Sequence, residues 1–264
     1  MSSPPLVLSD RHGAILRLTL NRAAARNALS LELMDALKAE LQSAAQQREL
    51  HVIVLAADGP SFSSGHDLKE MAAKRSDGDK GRVAYARLFQ RCSELMLAIV
   101  RHPLPVIAEV QGIATAAGCQ LVASCDLAVA STAARFATPG VNIGLFCSTP
   151  MVALSRNLSR KQAMAMLLTA DMVSAEEAHG LGLVNKVVPP ELLTAETMAL
   201  AEKIAAKPRA TVRTGKEAFY RQLELPLNEA YAYAAQVMTE NMLAAEAEEG
   251  ICAFLEKRPP NWPA

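Results

Sequence analysis

The chain has 264 residues, 51% of them hydrophobic, and its 27 Lys plus Arg are balanced by 27 Asp plus Glu. That content suits one large compact domain and argues against disordered and fibrous classes, while zero net charge offers no field for nucleic acid or an anionic membrane. The five cysteines are scattered without a CxxC pair, which argues against a disulfide framework or zinc site and fits a reduced, cytoplasmic chain.

The start, MSSPPLVLSDRHG, has neither a basic region with an apolar core nor an Arg-rich pattern, so no targeting segment is expected. Ala14 to Leu20 (AILRLTL) reads as a strand. Ser30 then caps a predicted helix to about Arg48, with Leu33, Met34, Leu37 and Leu41 at helical spacing. His51 to Ala56 is a second strand. Pro60 to Met71 (PSFSSGHDLKEM) runs from strand through a Ser and Gly turn into a helix starting near Asp67, followed by a longer helix over about Arg82 to His102.

Pro105 to Val110 (PVIAEV) is a strand with an unexpected carboxylate, Glu109, which solvent or a subunit contact would accommodate. The chain turns at Gly112 and enters a helix of small residues for which Thr115 is the expected N-cap. Asp126 to Ala130 is a further strand. The uncharged run from Phe136 to Ser155 is interrupted by Pro139, Gly140, Asn142, Gly144 and Pro150, so it reads as buried loop and strand rather than a membrane span.

Strands alternating with helices imply parallel pairing and an α/β class. After Val188 the pattern is helical throughout: from Pro189 and Pro190 to about Ala206, from Pro208 to about Leu223, and from Leu227 to about Ala247. Tyr231, Ala235, Met238, Met242 and Ala245 form one stripe of that last helix, expected to pack on the body or a neighbouring subunit.

Two segments invite chemistry. The junction at His66 and Asp67 leaves backbone N–H groups unpaired, as any helix start does. Ala116 to Gly118 would let a ligand carbonyl approach the positive end of a helix. Ordinary capping and close helix packing account for each alone; two donors facing one point would make an oxyanion hole.

NRAAARNAL (Asn21 to Leu29), VLAADGPSFSSGHDLKEM (Val54 to Met71), PVIAEVQGIATAAGCQLVASCD (Pro105 to Asp126), FATPGVNIG (Phe136 to Gly144), SAEEAHGLGLVNKVV (Ser174 to Val188) and FLEKRPPNW near the end follow one another in an order that resembles the crotonase superfamily of enoyl-CoA hydratases and isomerases. The ATAAGCQL and FATPGVN wording is similar to its enoyl-CoA hydratase domain-containing branch. The resemblance implies a spiral of strand, strand and helix units over residues 1–200 and a helical trimerisation region over 201–264, assembled as a homotrimer or hexamer.

It further implies a coenzyme A thioester as substrate or ligand, in the setting of fatty acid metabolism, with no separate cofactor and no metal. The backbone N–H groups of His66 and Ala117 would hold the thioester oxygen. Arg26, Ser64, Asp67, Leu68 and Lys69 would contact the CoA, as would Phe254 and Lys257, the last two across a subunit boundary.

The same resemblance places the two glutamates of a hydratase at Gln120 and Gly140. An amide is no base near neutral pH, and glycine has no side chain. Hydration is therefore expected to be weak or absent. Asn142, Cys147 and Ser148 are the polar groups that could substitute, and His66 could act through its ring, although its backbone is the favoured contributor. Restoring both glutamates should raise hydratase activity if the scaffold is otherwise intact. Two other readings are a non-catalytic acyl-CoA binder and a thioester hydrolase using Ser148 or Cys147.

Overall fold

The computed structural model describes residues 4–263; the reading of the start as free of a targeting pattern involves Met1 to Ser3, which lie outside that range. The strands are β1 (Val7–His12), β2 (Ile15–Leu20), β3 (Val52–Ala57), β4 (Ser61–Ser63), β5 (Val106–Val110), β6 (Ile113–Thr115), β7 (Leu127–Ser131), β8 (Arg135–Ala137), β9 (Val173–Ser174) and β10 (Lys186–Val188). The α-helices are α1 (Leu31–Gln46), α2 (Leu68–Ala73), α3 (Arg82–Val100), α4 (Ala117–Ser124), α5 (Pro150–Asn157), α6 (Arg160–Thr169), α7 (Ala175–Leu181), α8 (Leu193–Ala205), α9 (Arg209–Gln222), α10 (Leu227–Met242) and α11 (Ala245–Leu255).

Successive strand pairs split between two sheets. β3, β5 and β7 lie in a six-stranded sheet of order β1-β2-β3-β5-β7-β10, and β4, β6 and β8 lie in a four-stranded sheet of order β4-β6-β8-β9. Each turn of chain therefore adds one strand to each sheet and climbs one step. The corners stack backbone on backbone: a Cβ at Gly112, between β5 and β6, would overlap Pro60 O at the corner below. Glycine is what lets the repeat close up at that height.

Alternation along the strands sorts the two faces of the larger sheet. Leu16, Leu18 and Leu20 join the core beneath Leu33, Leu37 and Leu41 of α1 and Leu88, Leu95 and Ile99 of α3. Ile15, Val52, Val54, Ile107 and Val129 face the other way, under Leu193 and Ala201 of α8, which runs through residue 200.

Several expectations need correction. Glu109 faces neither solvent nor a subunit; it is buried on the α8 side, with Arg17 Nη2 at 2.7 Å and the Thr194 hydroxyl donating at 3.0 Å. The run from Phe136 to Ser155 holds β8, a short 3-10 turn and α5, and Ile143, Leu145 and Phe146 are exposed. The last long helix breaks at Leu243 and Ala244, so Ala245 belongs to α11 and leaves the stripe. Tyr231, Ala235, Met238 and Met242 are exposed and do not pack on the body, which leaves the neighbouring subunit as the surface expected to meet them.

Candidate active site

The site begins where the chain turns from Arg22 to Ser30. Arg26 and Asn27 adopt φ values of 53° and 49°, a conformation asparagine tolerates better than most residues. The buried Asn27 side chain then ties three segments together. Its Nδ2 donates to Asp58 O and Ser61 O, both at 2.8 Å, and its Oδ1 accepts from Arg22 N at 2.8 Å. The Ser63 hydroxyl donates to Asn27 O at 2.8 Å, Ser64 N to Arg26 O at 3.0 Å and Leu29 N to Gly65 O at 2.7 Å. Sequence reasoning passed over Asn27; its signal was an asparagine within a run of alanine and arginine.

That scaffold sets the Ser64–Asp67 turn. Asp67 caps α2, accepting from Lys69 N and Glu70 N, and pairs with Arg22 at 2.8 Å. Burial acts to raise its pKa, but the Arg22 guanidinium and the two helix amides outweigh it and hold the carboxyl below its ordinary value. Asp67 thus orders the turn and is already committed.

The second half comes from the junction of β6 and α4. Thr115 is not the cap; it remains in β6, paired in register with Ala137 of β8. The cap is Ala116, at φ 50° and ψ −119°, and Ala117 starts the helix with right-handed backbone. Gly65 lies directly against this junction: a Cβ there would come within 2.9 Å of Ala116 Cβ, 3.0 Å of Thr115 O and 3.2 Å of Ala117 N. Gly118 brings α4 equally close to β4, since its Cβ would overlap Ser63 O. Among the described residues, neither His66 N–H nor Ala117 N–H has an acceptor.

His66 itself is largely buried. Its ring meets Phe89 of α3 edge to face at 5.5 Å and 72°, its Nδ1 lies 3.5 Å from Leu29 O, and its Nε2 is buried without a partner. Burial pushes its pKa down, opposed by the Leu29 carbonyl. A cleft of about 440 Å³ opens between α2 and α3, lined by Leu31, Glu70, Met71, Tyr85 and Leu88 among others.

Gln120 is buried one turn into α4, its Oε1 accepting from Cys92 Sγ at 3.8 Å. Gly140 is buried in the 3-10 turn over Pro139–Ile143, and Leu145 N donates to its carbonyl at 2.9 Å. Cys147 lies beside it, with burial pushing the thiol pKa up. Ser148 is exposed, its hydroxyl donating to Phe146 O at 3.3 Å, and Asn142 is exposed. Among the described residues neither Cys147 nor Ser148 hydrogen-bonds to a side-chain base of the kind that activates a nucleophile.

Arg26, Leu68 and Lys69 are exposed and Ser64 half-buried around the same turn. Phe254 and Lys257 lie on or just beyond α11, and no contact within the chain brings them to the turn. Among the described residues no group of three or more His, Cys, Asp or Glu side chains could hold a metal ion.

A two-sheet spiral in which each turn of chain adds one strand to each sheet defines a crotonase-type fold. The chain belongs to the enoyl-CoA hydratase/isomerase family, whose model matches residues 10–264, and within it to the enoyl-CoA hydratase domain-containing branch. It is similar to the mouse (Mus musculus) mitochondrial enoyl-CoA hydratase domain-containing protein 3, at 49% identity over 99% of this chain and 85% of that protein. Among solved structures, an enoyl-CoA hydratase of Mycobacterium smegmatis is 55% identical with a TM-score of 0.94, covering 98% of this chain and 99% of that one. The human enoyl-CoA hydratase domain-containing protein 3 is 48% identical with a TM-score of 0.92, covering 97% and 100%.

Proposed function

We propose that this protein binds an acyl-CoA and polarises its thioester carbonyl between the N–H groups of His66 and Ala117, while hydrating enoyl-CoA poorly or not at all. The observation that supports the reading is the packing of Gly65, the neighbour of His66, against Ala116 and Ala117, with the His66 and Ala117 N–H groups both without an acceptor among the described residues. Such donors act in a water-poor site without reorganising, where they are worth most. Arg26, Ser64, Leu68 and Lys69 would meet the CoA moiety; Phe254 and Lys257 would serve only from another copy of the chain, in a homotrimer or hexamer.

General acid and base groups contribute about 10² to 10⁴ in rate each, so loss of both glutamates lowers hydration by roughly 10⁴ or more. Crotonyl-CoA offered to the purified protein should raise its melting temperature yet be hydrated at least that much more slowly than by a two-glutamate relative. Efficient hydration would overturn the reading. A non-catalytic binder remains the second reading, favoured by the filled space at Gly140. The free cysteines support action in the cytoplasm, whereas the vertebrate relatives are mitochondrial by name; fractionation of the source cells distinguishes the two.

A further inference from the structure

Far from the candidate site, α9 is fastened to the body by charge rather than by an apolar face. It buries no apolar side chain fully. Its Lys216 side chain is only 7% exposed and directs its ammonium at Ile99 O (3.1 Å), Leu104 O (3.0 Å) and Asp126 Oδ2 (2.6 Å). One turn on, the Tyr220 hydroxyl donates to Asp126 Oδ1 at 3.0 Å, while Val106 N donates to Asp126 Oδ2 at 2.7 Å. Removing one partner of such a buried pair is strongly destabilising, because the other is left without compensation.

Leu104 O is shared ground between Lys216 and the buried His102. The ring donates from Nε2 to Leu41 O at 2.9 Å and accepts at Nδ1 from Leu104 N at 3.1 Å, with the same Nδ1 lying 3.3 Å from Leu104 O. A second proton can go only to Nδ1. There it ends the bond from Leu104 N and makes the ring a donor beside the carbonyl that Lys216 holds. Two cations then converge on one oxygen in a site with little water to separate them.

We propose that His102, Leu104, Lys216, Asp126 and Tyr220 form an acid-sensitive latch, in which a proton on His102 displaces the Lys216 ammonium from Leu104 O and releases α9 to α11 from the body as one arm. The arm has ties of its own. The Arg221 guanidinium of α9 lies 4.3 Å over the Tyr233 ring of α10, and beyond α11 Arg258 pairs with Glu249 at 2.7 Å. Phe254 and Lys257 travel with the arm, so release removes them from any CoA they would meet. The latch itself does not depend on the acyl-CoA reading.

The surroundings of His102 fix the sign. Lys216 faces it from α9 and Asp126 from the start of β7, Arg101 adjoins it in sequence, and α1 and α3 present Leu41, Gln42, Ala45, Leu97 and Ala98. Cys125 and Tyr220 complete the cluster and are kept protonated by burial. Burial lowers the His102 pKa, the Leu41 carbonyl opposes that, and the Lys216 ammonium lowers it further. The closed latch therefore favours the neutral ring. Opening takes up a proton, so the closed state holds above the ordinary histidine range and is lost as pH falls below it.

Trp262 is the chain's single tryptophan and a built-in reporter, since its Nε1 donates to Ala206 O at the end of α8 at 3.2 Å and its ring lies against Gly250 of α11. The test follows its emission in the intact protein from about pH 8 to pH 5, with circular dichroism recorded alongside. Wild type should shift to longer wavelength in one step below pH 6.5, the ordinary histidine value, while the helical signal stays. His102→Gln should abolish the step, and Lys216→Met should show the acid emission already at neutral pH with its helices intact. His51→Gln, which alters the histidine at Ala205 O, should keep the step. Glu249, held at about 2 by Arg258, does not titrate in this range. The proposal is overturned by wild type without a step, by a step that coincides with loss of helical signal, by a step that survives in His102→Gln, or by one that vanishes in His51→Gln. Should His102→Gln fail to fold, Lys216→Met decides, and native emission from it at neutral pH overturns the latch.

Discussion

Leu145 O stands 2.6 Å from the point where a Cβ would project from Gly140, and Cys147 Sγ stands 2.8 Å from it. The place of the second hydratase glutamate is therefore filled by backbone as well as emptied of its side chain. Restoring both carboxylates, which on sequence alone should rescue hydration, meets this obstacle. Gln120→Glu with Gly140→Glu should lose about 1–3 kcal/mol of stability in denaturant unfolding, the range of an overpacked core, and gain less than tenfold in crotonyl-CoA hydration. Gly140→Ala alone should show most of the same loss. A stable, active double variant would mean that residues 145–147 move aside.

Ala116 carries the complementary strain. At φ 50° and ψ −119° it occupies backbone space that suits glycine, held there by pairing with Ala137 O and by α4 docking on Ser63. Such a residue stores about 1–3 kcal/mol, while glycine adds about 0.5–1 kcal/mol of unfolded-chain entropy. Ala116→Gly should thus gain about 1 kcal/mol in stability with ligand affinity retained, and Ala116→Val should lose several-fold more than that. Calorimetric melts of the two variants decide it; a destabilised glycine variant would show that the alanine is unstrained.

What was legible in the sequence was local. Ser30 caps α1 through Leu33 N at 3.2 Å, and Asp67 caps α2, because a cap needs only its own first turn. The strands of the larger sheet were visible from their apolar runs. Thr115 misled because the decision was made elsewhere: pairing with β8 keeps it in β6 and defers the helix cap to Ala116. The roles of Asn27 and Glu109 rest on partners 31–36 and 85–92 residues away, and the closure at Gly140 on a loop whose return no periodicity encodes. The break at Leu243 has neither proline nor glycine to announce it.

His102 makes stability depend on pH. Buried, it donates from Nε2 to Leu41 O at 2.9 Å and accepts at Nδ1 from Leu104 N at 3.1 Å, so it is satisfied only when neutral. Burial lowers its pKa, the Leu41 carbonyl opposes that, and the Lys216 ammonium lowers it further. Below the ordinary histidine range the unfolded chain then binds more protons than the folded one, so stability falls with acidification and is unaffected above that range. His66 adds a slope of the same sign. Denaturation midpoints should drop between pH 7 and pH 5, and less steeply in His102→Gln; an equal slope in that variant would assign the effect to other groups.

The three C-terminal helices expose more apolar surface than a lone chain needs. Leu243, Phe254 and Leu255 are 79%, 80% and 72% exposed, and Ala230 and Ala253 are the only residues buried in α10 and α11. Exposed patches of that kind mark protein interfaces. A second copy of the chain is the partner already implied, and it would also carry its Phe254 and Lys257 toward the CoA turn. Leu243→Glu with Leu255→Glu should convert a trimer or hexamer into monomers by light scattering and weaken acyl-CoA binding about tenfold or more, although neither residue touches the ligand. Monomeric wild type, or monomers with undiminished affinity, would confine the site to one chain and leave these helices without that role.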